Sequence, residues 1–238
     1  MITKSTFIET MHWVWAILID SLAIILNALL SLTFFLKYEW KKNKSGTPIL
    51  LVHGYLNNHS AWVFHGNLLQ KRGIGPIYTV HLGPFFDSIE KYADRIAKKA
   101  RQIAAENKRE DLILVGYSLG GLVSAYYAAE VAKKGTVKKI ITIASPLKGT
   151  VAAHIALGRS GREMLPGSRL IEVLNADIFY RLDLDFYHIA TYMDLFVRPY
   201  DSAILRNNPE KEYIIWNVGH AAMLYSWRVN RKLAEWLV

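Results

Sequence analysis

Hydrophobic positions fall into two textures along the chain. From residue 13 to residue 36 they are nearly continuous, WVWAILIDSLAIILNALLSLTFFL, with a single formal charge at Asp20. Beyond residue 46 they break into short runs separated by longer stretches of mixed polarity. The first texture predicts one long helix, apolar all round rather than amphipathic. As a helix its 24 residues would extend about 36 Å at ~1.5 Å per residue, enough to cross a bilayer. Asp20 would cost on the order of 3 kcal/mol at the bilayer centre, which the surrounding Leu and Ile side chains offset. A cleaved signal peptide competes with this anchor, but the apolar run exceeds the usual ~7–15 residues and no clear A-x-A site follows. A soluble buried helix also competes, though one this long rarely lacks a polar face. The reading is therefore a tail at 1–12, a single transmembrane helix at 13–36 and a basic linker at 37–46. Lys37, Lys41, Lys42 and Lys44 outweigh Lys4 on the other flank, so the positive-inside tendency puts the following domain on the cytoplasmic side.

The second texture predicts a sheet. Six runs rich in β-branched residues are PILLVH (48–53), PIYTVHL (76–82), LILVG (112–116), KIITIAS (139–145), YHIATYM (187–193) and EYIIWNV (212–218). Strands that are apolar along their length are buried on both faces, hence parallel and joined by helical crossovers. A helix is expected from 89 to about 106, capped by Asp87 with Glu90 as its capping-box partner. Further helices are expected from 119 to about 134 and from 221 to 237, the last packing Leu224, Trp227, Leu233, Trp236 and Leu237. One stretch, 146–184, is too long for a simple crossover. It reads as a cap-like insertion above the strand ends, where sheets of this kind bind ligands. The domain at 47–238 is thus α/β, with a mostly parallel sheet of about six strands.

Composition narrows the function. The 238 residues contain no cysteine, which removes disulfides, thiol nucleophiles and iron–sulfur clusters. The net charge of +9 is dispersed. No helix-turn-helix, RNP-type or finger motif accompanies it, so nucleic acid is not the expected partner.

The chemistry begins in DLILVGYSLGG. Gly116, Ser118 and Gly120 form G-x-S-x-G between a strand and a helix, the context of a nucleophile elbow. The turn is so tight that side chains at either flank would clash, and the serine is held in strained geometry above the sheet. A serine hydroxyl needs a base, and the base an orienting acid, in the chain order Ser, acid, His. The downstream histidines are His154, His188 and His220. His154 lies in the insertion and His188 inside an apolar strand, whereas His220 follows a strand, in NVGHAAML. His220 is the expected base. Asp194 follows the strand YHIATYM and is the expected acid, with Asp201 as runner-up. The expected oxyanion donors are the N–H groups of Leu119, next after the serine, and of Tyr55, in the loop after the first strand. His53 is expected to hold that loop rather than to carry protons. No metal or organic cofactor is implied.

With these residues in place the chain resembles the bacterial lipases and esterases of the α/β-hydrolase superfamily, in particular small triacylglycerol lipase-like proteins related to the inositol-deacylase group. The matching pieces are LLVHGY (50–55), GYSLGG (116–121), ASPLKGT (144–150), GRSGREMLPGS (158–168), DLFVRP (194–199) and VGHAAML (218–224). Tyr117 departs from the family by replacing a histidine before the nucleophile. Ser145 and Leu147-Lys148 replace the more usual Thr and His-His or His-Arg. The resemblance implies Ser118, Asp194 and His220 as triad, Tyr55 and Leu119 as oxyanion donors, and a lipid or other ester as substrate. An acyltransferase or thioesterase on the same fold, or a non-catalytic membrane scaffold, are the competing functions. Ala152, Ile155, Leu157, Met164, Leu165, Leu170 and Leu174 are candidates for an acyl groove or lid.

Overall fold

The computed structural model describes residues 4–43, 45–181, 183–205 and 208–238. All six predicted strands form, as β1 (Ile49–Val52), β2 (Ile77–Val80), β3 (Leu112–Tyr117), β4 (Val137–Ile143), β5 (Phe186–Thr191) and β6 (Glu212–Ile215). They make one sheet in the order β2-β1-β3-β4-β5-β6, and every pairing is parallel. Alternate residues feed two cores, as a pleated strand requires. Leu50 and Val52 join a core with α3 (Ile89–Asn107) and α4 (Leu119–Tyr126). Ile49 and Leu51 join the opposite core with α2 (Val63–Lys71) and α7 (Trp227–Leu237). After β1 the chain crosses to one side of the sheet, and from β3 onward it winds to the other. The loops after β1 and β3 therefore part at the carboxyl rim, the place where such sheets open a crevice.

Local chemistry shifts several predicted boundaries. α3 is capped by Ser88, whose hydroxyl accepts from Lys91 N–H at 3.3 Å. Asp87 instead pairs with Arg95 and Lys91. α4 runs only to Tyr126 before a wider π turn, Tyr127–Val131. The last predicted helix divides: Ala221–Tyr225 is a 3₁₀ turn, and Ser226 caps α7 by accepting from Val229 N–H. Trp227 is consequently exposed rather than packed, its ring edge-on to Phe64. The insertion after β4 contributes a 3₁₀ turn, Val151–Ile155, then α5 (Gly158–Glu163) and α6 (Arg169–Tyr180).

The N-terminal helix α1 is Lys4–Ser31, so it begins within the expected tail and stops five residues short of 36. The Ser31 and Thr33 hydroxyls donate to the carbonyls of Ala28 and Leu30, and residues 32–36 turn away. Thr10–Ser31, with mean hydropathy 2.1, is long and apolar enough to cross a membrane. The helix nevertheless lies against the domain. Ala16, Asp20 and Ala23 are buried, with Trp13, Asn27 and Leu30 half-buried. These residues recur every three or four positions, a seam far narrower than the apolar surface around it. The described part of the stretch at 37–46 is likewise attached. Trp40 exchanges backbone hydrogen bonds with Ile77 at 2.9 Å and covers edge strand β2.

Candidate active site

The elbow forms where β3 meets α4. Ser118 has φ 52° and ψ −126°, a conformation costly for a residue with a side chain. Both flanking glycines are forced by close approach. A Cβ at Gly120 would lie 2.2 Å from the Val52 carbonyl oxygen, and one at Gly116 would lie 2.4 Å from Gly121 Cα. The helix can thus start directly against β1.

Three side chains from distant segments meet above this turn. Ser118 Oγ lies 3.0 Å from His220 Nε2, and His220 Nδ1 lies 2.8 Å from Asp194 Oδ2. Asp194 and His220 are buried, Ser118 partly so. The other Asp194 oxygen accepts from the N–H groups of Phe196 and Val197, both at 2.8 Å. Those two amides fix the carboxylate and leave Oδ2 for the imidazole. Nδ1 is thereby the protonated nitrogen, and Nε2 is free to accept from the serine hydroxyl. The runner-up acid, Asp201, is itself exposed, in the 3₁₀ turn Tyr200–Ala203.

Two aromatic rings pack near the imidazole. The Tyr117 ring is centred 5.0 Å from that of His220, and Phe196 is at 5.2 Å. Burial pushes the Tyr117 phenol well above its ordinary pKa, and its hydroxyl donates to the His220 carbonyl at 3.2 Å. Tyr117, which the sequence marked only as a departure from the family, therefore props the histidine turn.

The loop after β1 passes close to the serine, since a Cβ at Gly54 would lie 3.0 Å from Ser118 Cβ. His53 anchors this loop. Its Nδ1 donates to Gly54 O at 2.9 Å and its Nε2 accepts from Leu82 N–H at 3.0 Å. Burial holds it neutral, with its pKa pushed down to about 3. Tyr55 lines the same cavity as Ser118, and Leu119 opens α4 directly after the serine. Of the other histidines, His188 is buried in β5 against Thr142 Oγ1 at 2.8 Å, and His154 is exposed.

Over Ser118 and His220 opens a cavity of about 420 Å³. The insertion supplies Ala152, Ala153, Ala156 and Met164, and the loop after β5 supplies Phe196 and Val197. Of the residues expected in an acyl groove, only Ala152 and Met164 line it. Ile155 and Leu157 are exposed, while Leu174 packs into the core and, with Leu170, borders a separate groove. A further wall is α1 itself, through Ile24, Asn27, Ala28 and Ser31. The sequence reading missed this wall, although Asp20 and Asn27, seven residues apart in an apolar run, were its signal.

Comparison with known proteins agrees with this architecture. Residues 47–168 match the family model for the alpha/beta hydrolase fold. Pimeloyl-[acyl-carrier protein] methyl ester esterase of Vibrio campbellii is 31% identical over 113 residues, covering 46% of this chain and 41% of that protein. The Vibrio cholerae enzyme of the same name is 30% identical over 109 residues, with the same coverages. The chain thus spans less than half the length of these curated relatives. A lipase of Bacillus licheniformis in its mature form superposes with TM-score 0.70 at 17% identity, covering 85% of this chain and 98% of that one. Aspergillus fumigatus lipase B gives 0.69 at 16%, covering 83% and 54%. The six-stranded parallel sheet, the strained serine between β3 and α4 and the family match together make this chain a member of the alpha/beta hydrolase fold family, with a candidate membrane-spanning helix at its N-terminus.

Proposed function

We propose that this protein hydrolyses carboxylic esters of lipids, with Ser118 as nucleophile, His220 as general base and acid, and Asp194 as the group that orients the imidazole. The observation that carries the reading is the unbroken hydrogen-bonded series Ser118–His220–Asp194 at the floor of a largely apolar cavity. Ser118 Oγ attacks the ester carbonyl carbon as its proton passes to His220 Nε2. The Tyr55 and Leu119 N–H groups receive the charge that develops on the carbonyl oxygen. Collapse expels the alcohol, which takes the proton from His220 and leaves an acyl group on Ser118. Water, deprotonated by His220, then attacks the acyl carbon and releases the acid. Asp194 keeps the required tautomer and stabilises the imidazolium in both halves.

The lipid assignment rests on the walls of the cavity and on the outward side of α1. Val14, Leu18, Leu22, Ile25 and Leu29 are exposed there, a surface suited to hydrocarbon. We assign the exposed apolar side of α1 to contact with the membrane, while its narrow seam stays on the domain. The test is turnover of p-nitrophenyl esters of increasing chain length by detergent-solubilised full-length protein. Wild type should cleave them, and Ser118→Ala should lose on the order of 10⁴-fold or more in kcat. Equal turnover by the two proteins would overturn the reading.

A further inference from the structure

We propose that α1 is a working part of the catalytic centre, in which Asp20 is a positioning residue that fixes the turn carrying His220. The inference rests on the hydrolase reading above and goes beyond it, because a membrane anchor need only be long and apolar. Two pairs of contacts argue for more. Asp20 is the one formal charge in the apolar run, yet it is only 3% exposed while its neighbour Leu22 is 67% exposed. Its Oδ1 accepts from Ala222 N–H at 2.8 Å. Ala222 is two residues past His220, in the 3₁₀ turn whose opening amides lack internal partners. The carboxylate therefore caps the turn that presents the imidazole. Gly219, on the other side of His220, is pressed against the same side chain: a Cβ there would lie 2.4 Å from Asp20 Cγ. The histidine is bracketed by two contacts to one residue of α1.

A second pair of contacts lies two turns further along the helix. Asn27 Nδ2 donates to Asn57 Oδ1, and Asn58 Nδ2 donates to the Ser31 carbonyl at 2.9 Å. Both partners belong to the loop after β1 that carries Tyr55. α1 thus ties the loop assigned to the oxyanion to the turn assigned to the base, across the mouth of the cavity it helps to line. Polar groups inside an apolar helix are costly unless they meet partners, and here each partner lies beside the site.

The experiment measures kcat and KM for p-nitrophenyl butyrate with detergent-solubilised full-length protein. The proteins are wild type, Asp20→Ala, Asp20→Asn, Gly219→Ala, Asp20→Ala/Gly219→Ala and Ser118→Ala. Asp20→Ala should lower kcat about 10-fold or more, because small displacements of a reacting group are expensive, and leave KM within a few-fold. Asp20→Asn keeps an oxygen facing Ala222 N–H and should recover most of that loss. Gly219→Ala pushes on the same contact from the other side, so its cost should overlap with that of Asp20→Ala rather than add to it. Wild-type kcat in Asp20→Ala, equal damage in the Ala and Asn variants, or additive losses in the double variant would each overturn the proposal. If Asp20→Ala does not fold, the ratio of Asp20→Asn to Gly219→Ala decides: comparable losses overturn it, and a near-wild-type Asn variant beside an impaired Gly219→Ala supports it. An active Ser118→Ala would instead overturn the hydrolase reading, independently of Asp20.

Discussion

The carboxyl rim of the sheet and the helix laid across it reach one site by opposite means. The rim is determined by backbone geometry: strand ends in fixed register, glycines where a Cβ would lie only 2.2–2.4 Å from neighbouring backbone, and two amides that clamp one carboxylate oxygen. α1 is held by a narrow seam with a few polar contacts, while most of its surface stays exposed and apolar. The difference teaches that position in a site can come from rigid covalent topology or from single side chains that would be out of place anywhere else. It also sets an order of sensitivity, with changes at the rim expected to cost far more than changes in the seam.

The largest expected effect is at the rim's acid. Asp194→Asn retains an oxygen for the Phe196 and Val197 amides but offers His220 the wrong partner for Nδ1–H. Turnover should fall on the order of 10⁴-fold with little loss of folding. Asp201→Asn, at the runner-up position, should leave it unchanged. A smaller loss at Asp194 than the one expected for Asp20→Ala would invert the comparison. Next is the strain at Ser118. Ser118→Ala and Ser118→Gly should be equally inactive, but glycine tolerates φ 52° without cost. The Gly variant should therefore be more stable than the Ala variant by about 1 kcal/mol, or about 2–4 °C in Tm. Equal melting temperatures would mean that the rim is not strained.

The smallest effect concerns the support beneath the histidine turn. His65 in α2 donates from Nε2 to Met223 O at 3.0 Å, and burial pushes its pKa down to about 4. In the unfolded chain the ring titrates near its ordinary value of about 6.5. Below that pH the unfolded state binds the extra proton, so stability falls as pH drops from about 6.5 towards 4. Above 6.5 neither state is charged and the contribution is constant. His65→Gln should reduce this acid slope by up to about 1.4 kcal/mol per pH unit, read from denaturant midpoints between pH 7 and 4. An unaltered slope would show that the ring is not buried neutral.

The two regions also differ in how legible they were. The strands could be read because burial on both faces leaves no polar position to confuse the pattern, as in LILVGY of β3. The elbow could be read because only glycine fits against Val52 and Gly121, so sterics are written directly in the residue types. His220 and Asp194 followed from which end of a strand they stood on. Caps were less legible. Asp87 qualifies by type, but it pairs with Arg95 eight residues on, and Ser88 caps the helix instead. α1 was least legible. Apolar composition states that a helix avoids water, but not whether it meets lipid or protein. The contact from Asp20 to Ala222 spans 202 positions, which no local pattern reports. Tyr117 was visible only as a departure, because its partner is a backbone carbonyl 103 residues away.

The most direct measurement of the central claim is reaction of the full-length protein with a fluorophosphonate, followed by peptide mass spectrometry. The account predicts a single adduct on Ser118, formed rapidly in wild type and orders of magnitude more slowly in His220→Ala. Folded protein that carries no adduct, or carries it on a different residue, would contradict it.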